Sequence, residues 1–185
     1  MNRLRLTDLV VGAAAGIVGT IAMDTLWWRR SRQAGSDLGF VEWEFAVGTD
    51  YDSFADAPAP GQVGQRIGRL VGVDFPVEHA GLTTDVVHWT TGASWGAAAG
   101  AVTAVSPVAA VPAGIAAGVA AVSTAYGALG AAGIYEPVWT YDRQTLWKDV
   151  SAHLLFGTAT GLALWTMRKL CSMFSPSAAA TRGST

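Results

Sequence analysis

Cysteine is almost missing from this chain of 185 residues: Cys171 stands alone, which excludes an internal disulfide and any cluster of thiolate metal ligands. Charge is scarce as well. Asp, Glu, Lys and Arg make up 14% of the residues, against about 25% in a typical soluble domain. Basic side chains are in no excess, 12 Lys and Arg against 14 Asp and Glu, for a net charge of −2. That excludes a nucleic-acid binder working through a basic face, because neutralising phosphates takes a surplus of Lys and Arg. Charged residues vanish altogether from Leu9 to Met23, from Val86 to Tyr135 and from Val150 to Met167.

What remains is apolar and rich in small residues: 51% hydrophobic, 22 glycines, and a mean hydropathy of +0.32. About 20 apolar residues suffice to cross a bilayer as a helix, and helices satisfy their own backbone groups in lipid. The uncharged runs therefore predict an all-α membrane protein, a bundle of four transmembrane helices over about 7–30, 84–105, 109–135 and 145–169. Ser106-Pro107, with Pro112 beyond, supplies the turn inside the longest run. A buried soluble bundle would need polar outer faces at a 3.6-residue period, and the second and third helices have none. Arg3 and Arg5 precede the first apolar run as in a signal peptide, but Trp27-Trp28-Arg29-Arg30 ends it as an interfacial anchor, so the helix is read as retained. The chain is thus one membrane domain over 1–174, with residues 175–185 as a disordered tail.

The first loop, 29–82, is long for a simple connection. Its stretch 35–56 mixes acids with Phe40, Trp43, Phe45, Tyr51 and Phe54. After Ala57-Pro58-Ala59-Pro60, Val63, Ile67, Leu70 and Val71 recur at helical spacing, with Gln62, Gln65, Arg66 and Arg69 on the other face. This is a short amphipathic helix that lies on the bilayer surface or packs over the helix ends. Four crossings put both termini on one side, end A, and the long loop and the connection before the fourth helix on the other, end B. The denser Lys and Arg of the short segments at end A favour termini in the cytoplasm.

Spacing is the strongest pattern. Gly12, Gly16, Thr20 and Asp24 are each four apart in the first helix, His88, Gly92, Gly96 and Gly100 in the second, Gly114, Gly118, Val122, Tyr126 and Gly130 in the third, and His153, Gly157 and Gly161 in the fourth. Such sets lie in one stripe on a helix, and stripes of small residues let membrane helices approach closely. Gly12, Gly16, Gly92, Gly96, Gly114, Gly118, Gly157 and Gly161 are therefore the packing residues. The second and fourth helices share His-x-x-x-Gly-x-x-x-Gly, which suggests a parallel pseudo-repeat of two helix pairs.

Depth gathers the polar groups. His88 lies roughly 6 Å and His153 roughly 9 Å inside end B at 1.5 Å per residue, and Asp24 sits at the same end. Asp24, Asp85, His88, Asp149 and His153 form one candidate cluster, ringed by Trp27, Trp28, Trp89, Trp139 and Trp147 as an interfacial belt. Several chemistries fit it. The His and Asp groups can lock the bundle by hydrogen bonds across helices. They can relay a proton. His88 and His153 with carboxylates suit a divalent metal, and the same two histidines suit haem. A structural or interaction protein using the acidic loop 35–56 as a docking surface is the competing class. No catalytic motif is present: Ser94 and Ser151 lack the context of a nucleophile elbow. The implied partner is the lipid bilayer, with a second copy or another membrane protein wherever glycine faces lipid, and no nucleic acid.

The segments Val87-His88-Trp89-Thr90-Thr91-Gly92 and Ala152-His153-Leu154-Leu155-Phe156-Gly157, with Pro60-Gly61-Gln62-Val63-Gly64-Gln65-Arg66-Ile67-Gly68, resemble families of uncharacterised bacterial inner-membrane proteins. The resemblance covers most of the membrane part. It implies four helices, histidines at helix starts followed by small residues, and residence in the bacterial plasma membrane as a multi-pass protein. It implies no activity and no catalytic residue.

Overall fold

The computed structural model describes residues 3–46 and 51–173, and every regular element among them is helical. Six α-helices carry the architecture: α1 (Leu6–Gln33), α2 (Phe40–Ala46), α3 (Ala59–Leu70), α4 (Ala80–Val105), α5 (Ala110–Thr124) and α6 (Arg143–Met173). The expected tail, 175–185, lies outside the described residues, as do positions 47–50 of the acidic loop.

Local chemistry sets the ends. The Asp8 carboxylate accepts the Arg5 backbone N–H at 3.0 Å across the first turn of α1. The α4–α5 break falls at Ser106-Pro107 as expected, and Pro112 sits in the first turn of α5, where a missing donor is harmless. α5 continues through one π-turn, Ala125–Leu129. The helical path stops before Gly133, whose φ of +67° suits glycine, so this helix ends short of the expected position 135. At the start of α6, Asp142 caps the backbone N–H groups of Gln144 and Thr145 at 2.7 and 3.0 Å. The Thr145 hydroxyl, which also donates to it, is the main reason its carboxyl stays below the usual carboxylate range.

The glycine stripes meet one another. α1 and α4 run antiparallel, with Gly12 against Gly96 and Gly100, and Gly16 against Gly92 and Gly96. α5 and α6 do the same, with Gly114 against Gly157 and Gly161, and Gly118 against the His153 carbonyl and Gly157. These approaches are backbone to backbone: a Cβ built on Gly96 would lie 2.5 Å from the Gly16 Cα, and one on Gly157 2.5 Å from the Gly114 carbonyl. The two pairs join through α1 and α6, where Gly19 faces Thr160 and Phe156. At end A, Arg168 donates to the Asp8 carboxylate at 3.2 Å and to the Gly100 carbonyl at 2.9 Å. At end B, α4 and α5 leave a cavity between them.

The interior is small and the exterior is large. Ala15, Ala99, Ala113 and Ala117 are buried, whereas Ile17, Ile21, Val86, Val102, Val119 and Leu162 point outward. Three helical stretches, Leu6–Gln33, Ala110–Leu129 and Arg143–Met173, are long and apolar enough to cross a membrane. The expected second crossing is different in kind. α4 has 26 residues, enough length, but Thr83, Thr84, Asp85, His88, Thr90, Thr91 and Ser94 dilute its apolar character.

α3 forms as expected, but on the opposite face from the obvious one. Gly61, Gly64, Gln65 and Gly68 are its buried residues, against α4 and Phe75, and Ile67 and Leu70 are 55% and 86% exposed. Gln65 is buried because its amide is fully used: Nε2 donates to Asp74 at 2.5 Å, and Oε1 accepts the Phe75 N–H at 3.1 Å. Close approach, which only the glycines permit, decides the packing face ahead of side-chain polarity. The acidic loop also holds an element unforeseen in the sequence, α2, which folds back so that Glu44 reaches Trp89 of α4.

Candidate functional site

All five residues of the expected cluster, Asp24, Asp85, His88, Asp149 and His153, line one cavity of about 440 Å³ at end B. That volume lies within the range of small-molecule sites, about 300–1,000 Å³. α1, α4, α5 and α6 wall it, and Trp43 and Glu44 of α2 with Pro60 and Val63 around α3 close over it.

The five residues do not converge on one point. They divide into two half-sites. On the α1–α4 side, His88 Nε2 donates to the Asp24 carboxylate at 2.9 and 3.1 Å. Asp24 is only 3% exposed, so this imidazole replaces the water that the carboxylate has lost. The glycine register produces the pair, since Gly16 opposite Gly96 brings Asp24, two turns on in α1, level with His88, two turns back in α4. On the α5–α6 side, the Tyr126 hydroxyl donates to Asp149, and His153 Nδ1 donates to the Asp149 backbone carbonyl at 2.8 Å. That bond leaves the His153 Nε2 as the ring's acceptor. Asp85, half-buried, has no hydrogen-bond or ion-pair partner among the described residues.

Sequence reading missed two participants. Glu44 is 6% exposed, in a loop where acids read as solvated surface; it accepts the Trp89 indole N–H at 3.0 Å. Burial, reinforced by the negative charge of Asp24, pushes the Glu44 carboxyl above the ordinary range. Tyr126 stood in the third stripe without a role. It anchors a tyrosine cluster, its ring centroid 5.5 Å from those of both Tyr135 and Tyr141. The expected tryptophan belt splits: Trp139 and Trp147 are exposed, whereas Trp27 lines the cavity with the Arg30 guanidinium 4.9 Å above its ring.

The geometry weighs on the chemistries that the sequence left open. Among the described residues no three His, Cys, Asp or Glu side chains are grouped to hold a metal ion. Haem held between the histidines would require His88 to give up the Nε2 bond that satisfies buried Asp24. The Asp24–His88 pair, by contrast, is already joined by a hydrogen bond within the cavity.

Glu44 gives a direct test. A carboxyl whose pKa is raised in the folded chain stabilises the fold in acid, and that contribution fades as pH rises through the raised value. Glu44→Gln keeps an acceptor for Trp89 and never ionises. Melting temperatures measured in detergent from pH 5 to pH 8 are expected to fall for wild type relative to the variant as pH rises; parallel curves would show that Glu44 does not titrate with folding.

Fold and cavity together define a class: an all-helical protein with three helices fit to cross a membrane and a carboxylate-rich cavity at one end of the bundle. Comparison of the chain with protein-family models, with curated proteins and with solved structures returns no match.

Proposed function

We propose that the chain is an integral membrane protein with four crossings, multi-pass in a bacterial plasma membrane, that handles protons at the Asp24–His88 pair. The observation carrying the reading is the pairing itself: a carboxylate 3% exposed, bonded to an imidazole that lines a cavity. A group of this kind at membrane depth is costly to keep and marks function more often than structure.

Register supports the fourth crossing. α4 lies alongside α1 from Asp8–Gly100 at end A to Asp24–His88 at end B, so whatever depth α1 spans, α4 spans too. Several of its hydroxyls suit that place, since they bond to the helix's own backbone: Thr90 donates to the Val86 carbonyl at 2.6 Å and Ser94 to the Thr90 carbonyl at 2.7 Å. The exposed Ile67, Leu70 and Val71 of the α3 end, flanked by Arg66 and Arg69, suit the lipid headgroup boundary.

The helix contacts support a repeat of two pairs, but one turn away from the match of the two histidine motifs. Gly12 meets Gly96 and Gly100 as Gly114 meets Gly157 and Gly161. In that alignment Asp24 corresponds to Tyr126 and His88 to Asp149, so each pair contributes one polar contact across its helices to the shared cavity.

The test is a titration of the histidines by nuclear magnetic resonance on the full chain in detergent. The His88 ring resonances are expected to titrate between pH 5 and pH 9, and Asp24→Asn is expected to move the midpoint by about one pH unit or more. A His88 signal that stays flat over the whole interval, or a midpoint indifferent to Asp24→Asn, would overturn the reading. The alternative of the acidic loop as a docking surface loses its central acid, because Glu44 is turned inward.

A further inference from the structure

We infer that the cavity at end B binds a lipophilic organic cation, a ligand with one delocalised or quaternary positive charge and an aromatic or aliphatic body. The inference rests on the membrane reading above and extends it from the proton to the solute that exchanges with it.

Three observations lead there. The first is the imbalance of charge around the cavity. Asp24, Glu44, Asp85 and Asp149 line the cavity, and neither Lys nor Arg does. Even with both lining imidazoles protonated the walls carry no surplus of positive charge, and with them neutral the four carboxylates lack a counter-ion. The buried ones have little water to replace it: Asp24 and Glu44 are both nearly inaccessible. A cation entering the space completes the charge balance that the protein leaves open.

The second is the material of the walls. Between the carboxylates stand Trp27, Trp43, Trp95, Tyr126, Tyr135 and Phe156. Ring faces attract cations, most strongly where water is excluded, and prefer large, weakly hydrated ones. A small inorganic ion would find instead the oxygen cage it requires missing, since no three acidic or imidazole side chains among the described residues are grouped around one point. Aromatic walls with separated carboxylates match a charge spread over a bulky body, held by Asp85 from α4 and Asp149 from α6, one in each helix pair.

The third is the place of the opening. The cavity is open to the exterior, and Thr91 of α4 and Thr124 of α5 are exposed residues of its lining. Thr91 lies eleven residues into α4, well inside the span proposed for that helix. A mouth there faces the bilayer, so a solute reaches it by first partitioning into the membrane. Lipophilic cations do this, and strongly hydrated ones do not.

Protons and such a cation would compete for the same carboxylates, which makes binding depend on pH. The groups that face the ligand space are Asp24, Asp85, His88, Asp149 and His153 from the long helices, Glu44 from α2, and the hydroxyls of Tyr126 and Tyr135.

The experiment uses the full chain in detergent with tetraphenylphosphonium as the probe and tetraphenylborate, of the same shape and opposite charge, as its control. Binding is read by calorimetry and by quenching of tryptophan fluorescence. Saturable binding of one phosphonium per cavity is expected, at least tenfold weaker at pH 5 than at pH 8, and at least tenfold weaker in Asp85→Asn/Asp149→Asn. A cooperative melting transition of the double variant, read in the same detergent and compared with wild type, guards against reading a misfolded chain as a lost site. Equal uptake of the borate, phosphonium binding indifferent to pH, or undiminished binding by a folded double variant would overturn the inference. A chain whose His88 titrates as proposed but which takes up no phosphonium overturns this inference alone; a chain that shows neither removes the proton reading with it.

Discussion

Leucine in place of Gly96 is expected to destabilise the bundle by about 3 kcal/mol or more, at the upper end of what overpacking costs, and to part α1 from α4. The size follows from what the new side chain would meet. A Cβ alone would press on the Gly12 carbonyl and on the Cα and N of Gly16, all of them backbone, with no rotamer to turn aside. Gly157→Leu is expected to act alike on the other pair, where the Gly114 carbonyl and the Ile115 Cα stand in the way. Gly92 provides a graded comparison, because its close neighbour is the Thr20 hydroxyl, a side chain that can rotate. Gly92→Ala should therefore cost less than Gly96→Ala. Gly130→Ala is the control: nothing lies within 4 Å of the position, so a methyl there costs no contact and improves the helix. Thermal unfolding in detergent ranks the five variants. Should Gly96→Leu melt with Gly130→Ala, the stripes would not be what holds the pairs together.

Those stripes are also why so much of the fold was legible in the sequence. Backbone contact between helices requires glycine at every fourth position on both partners, so the requirement is written as spacing and can be read without knowing the partner. The turn at Ser106-Pro107 was legible for a similar reason, since proline acts on its own neighbours. What could not be read depends on which surfaces meet. Spacing put Asp24, Asp85 and Asp149 at the level of the histidines without saying which would pair; Asp24 takes His88 because the α1–α4 register puts it across from the ring. Glu44 carried no signal at all, because its burial depends on α2 folding back onto a tryptophan 45 residues further along the chain. α3 was legible as a helix but its packing face was left open: Ile67, Leu70 and Val71 stay exposed, Val63 lines the cavity, and the glycines make the close contact. In a water-soluble protein the apolar stripe would win that competition, because hiding it from water is worth about 25 cal/mol per Å². At a lipid boundary the drive largely disappears, and closeness of approach decides.

Removing the partner of Asp24 gives the second large effect. His88→Ala is expected to cost about 3–5 kcal/mol, the range found when one member of a buried pair is deleted and the other is left without a partner. The cost would not measure the strength of the hydrogen bond. It would arise from the carboxylate left behind, 3% exposed, with the imidazole at 2.9 Å gone and Glu44 and Asp85 adding negative charge around it. The double variant separates these accounts. If the orphaned charge is the cause, Asp24→Asn in the His88→Ala background should restore most of the lost stability, although it restores no hydrogen bond to position 88. If the cost comes instead from the space vacated by the ring, the double variant should be no better than the single one, since Asn fills none of that volume. Equilibrium unfolding of wild type, both single variants and the double variant in one detergent closes the cycle. Rescue would show that the protein tolerates a buried acid at position 24 only because His88 answers it.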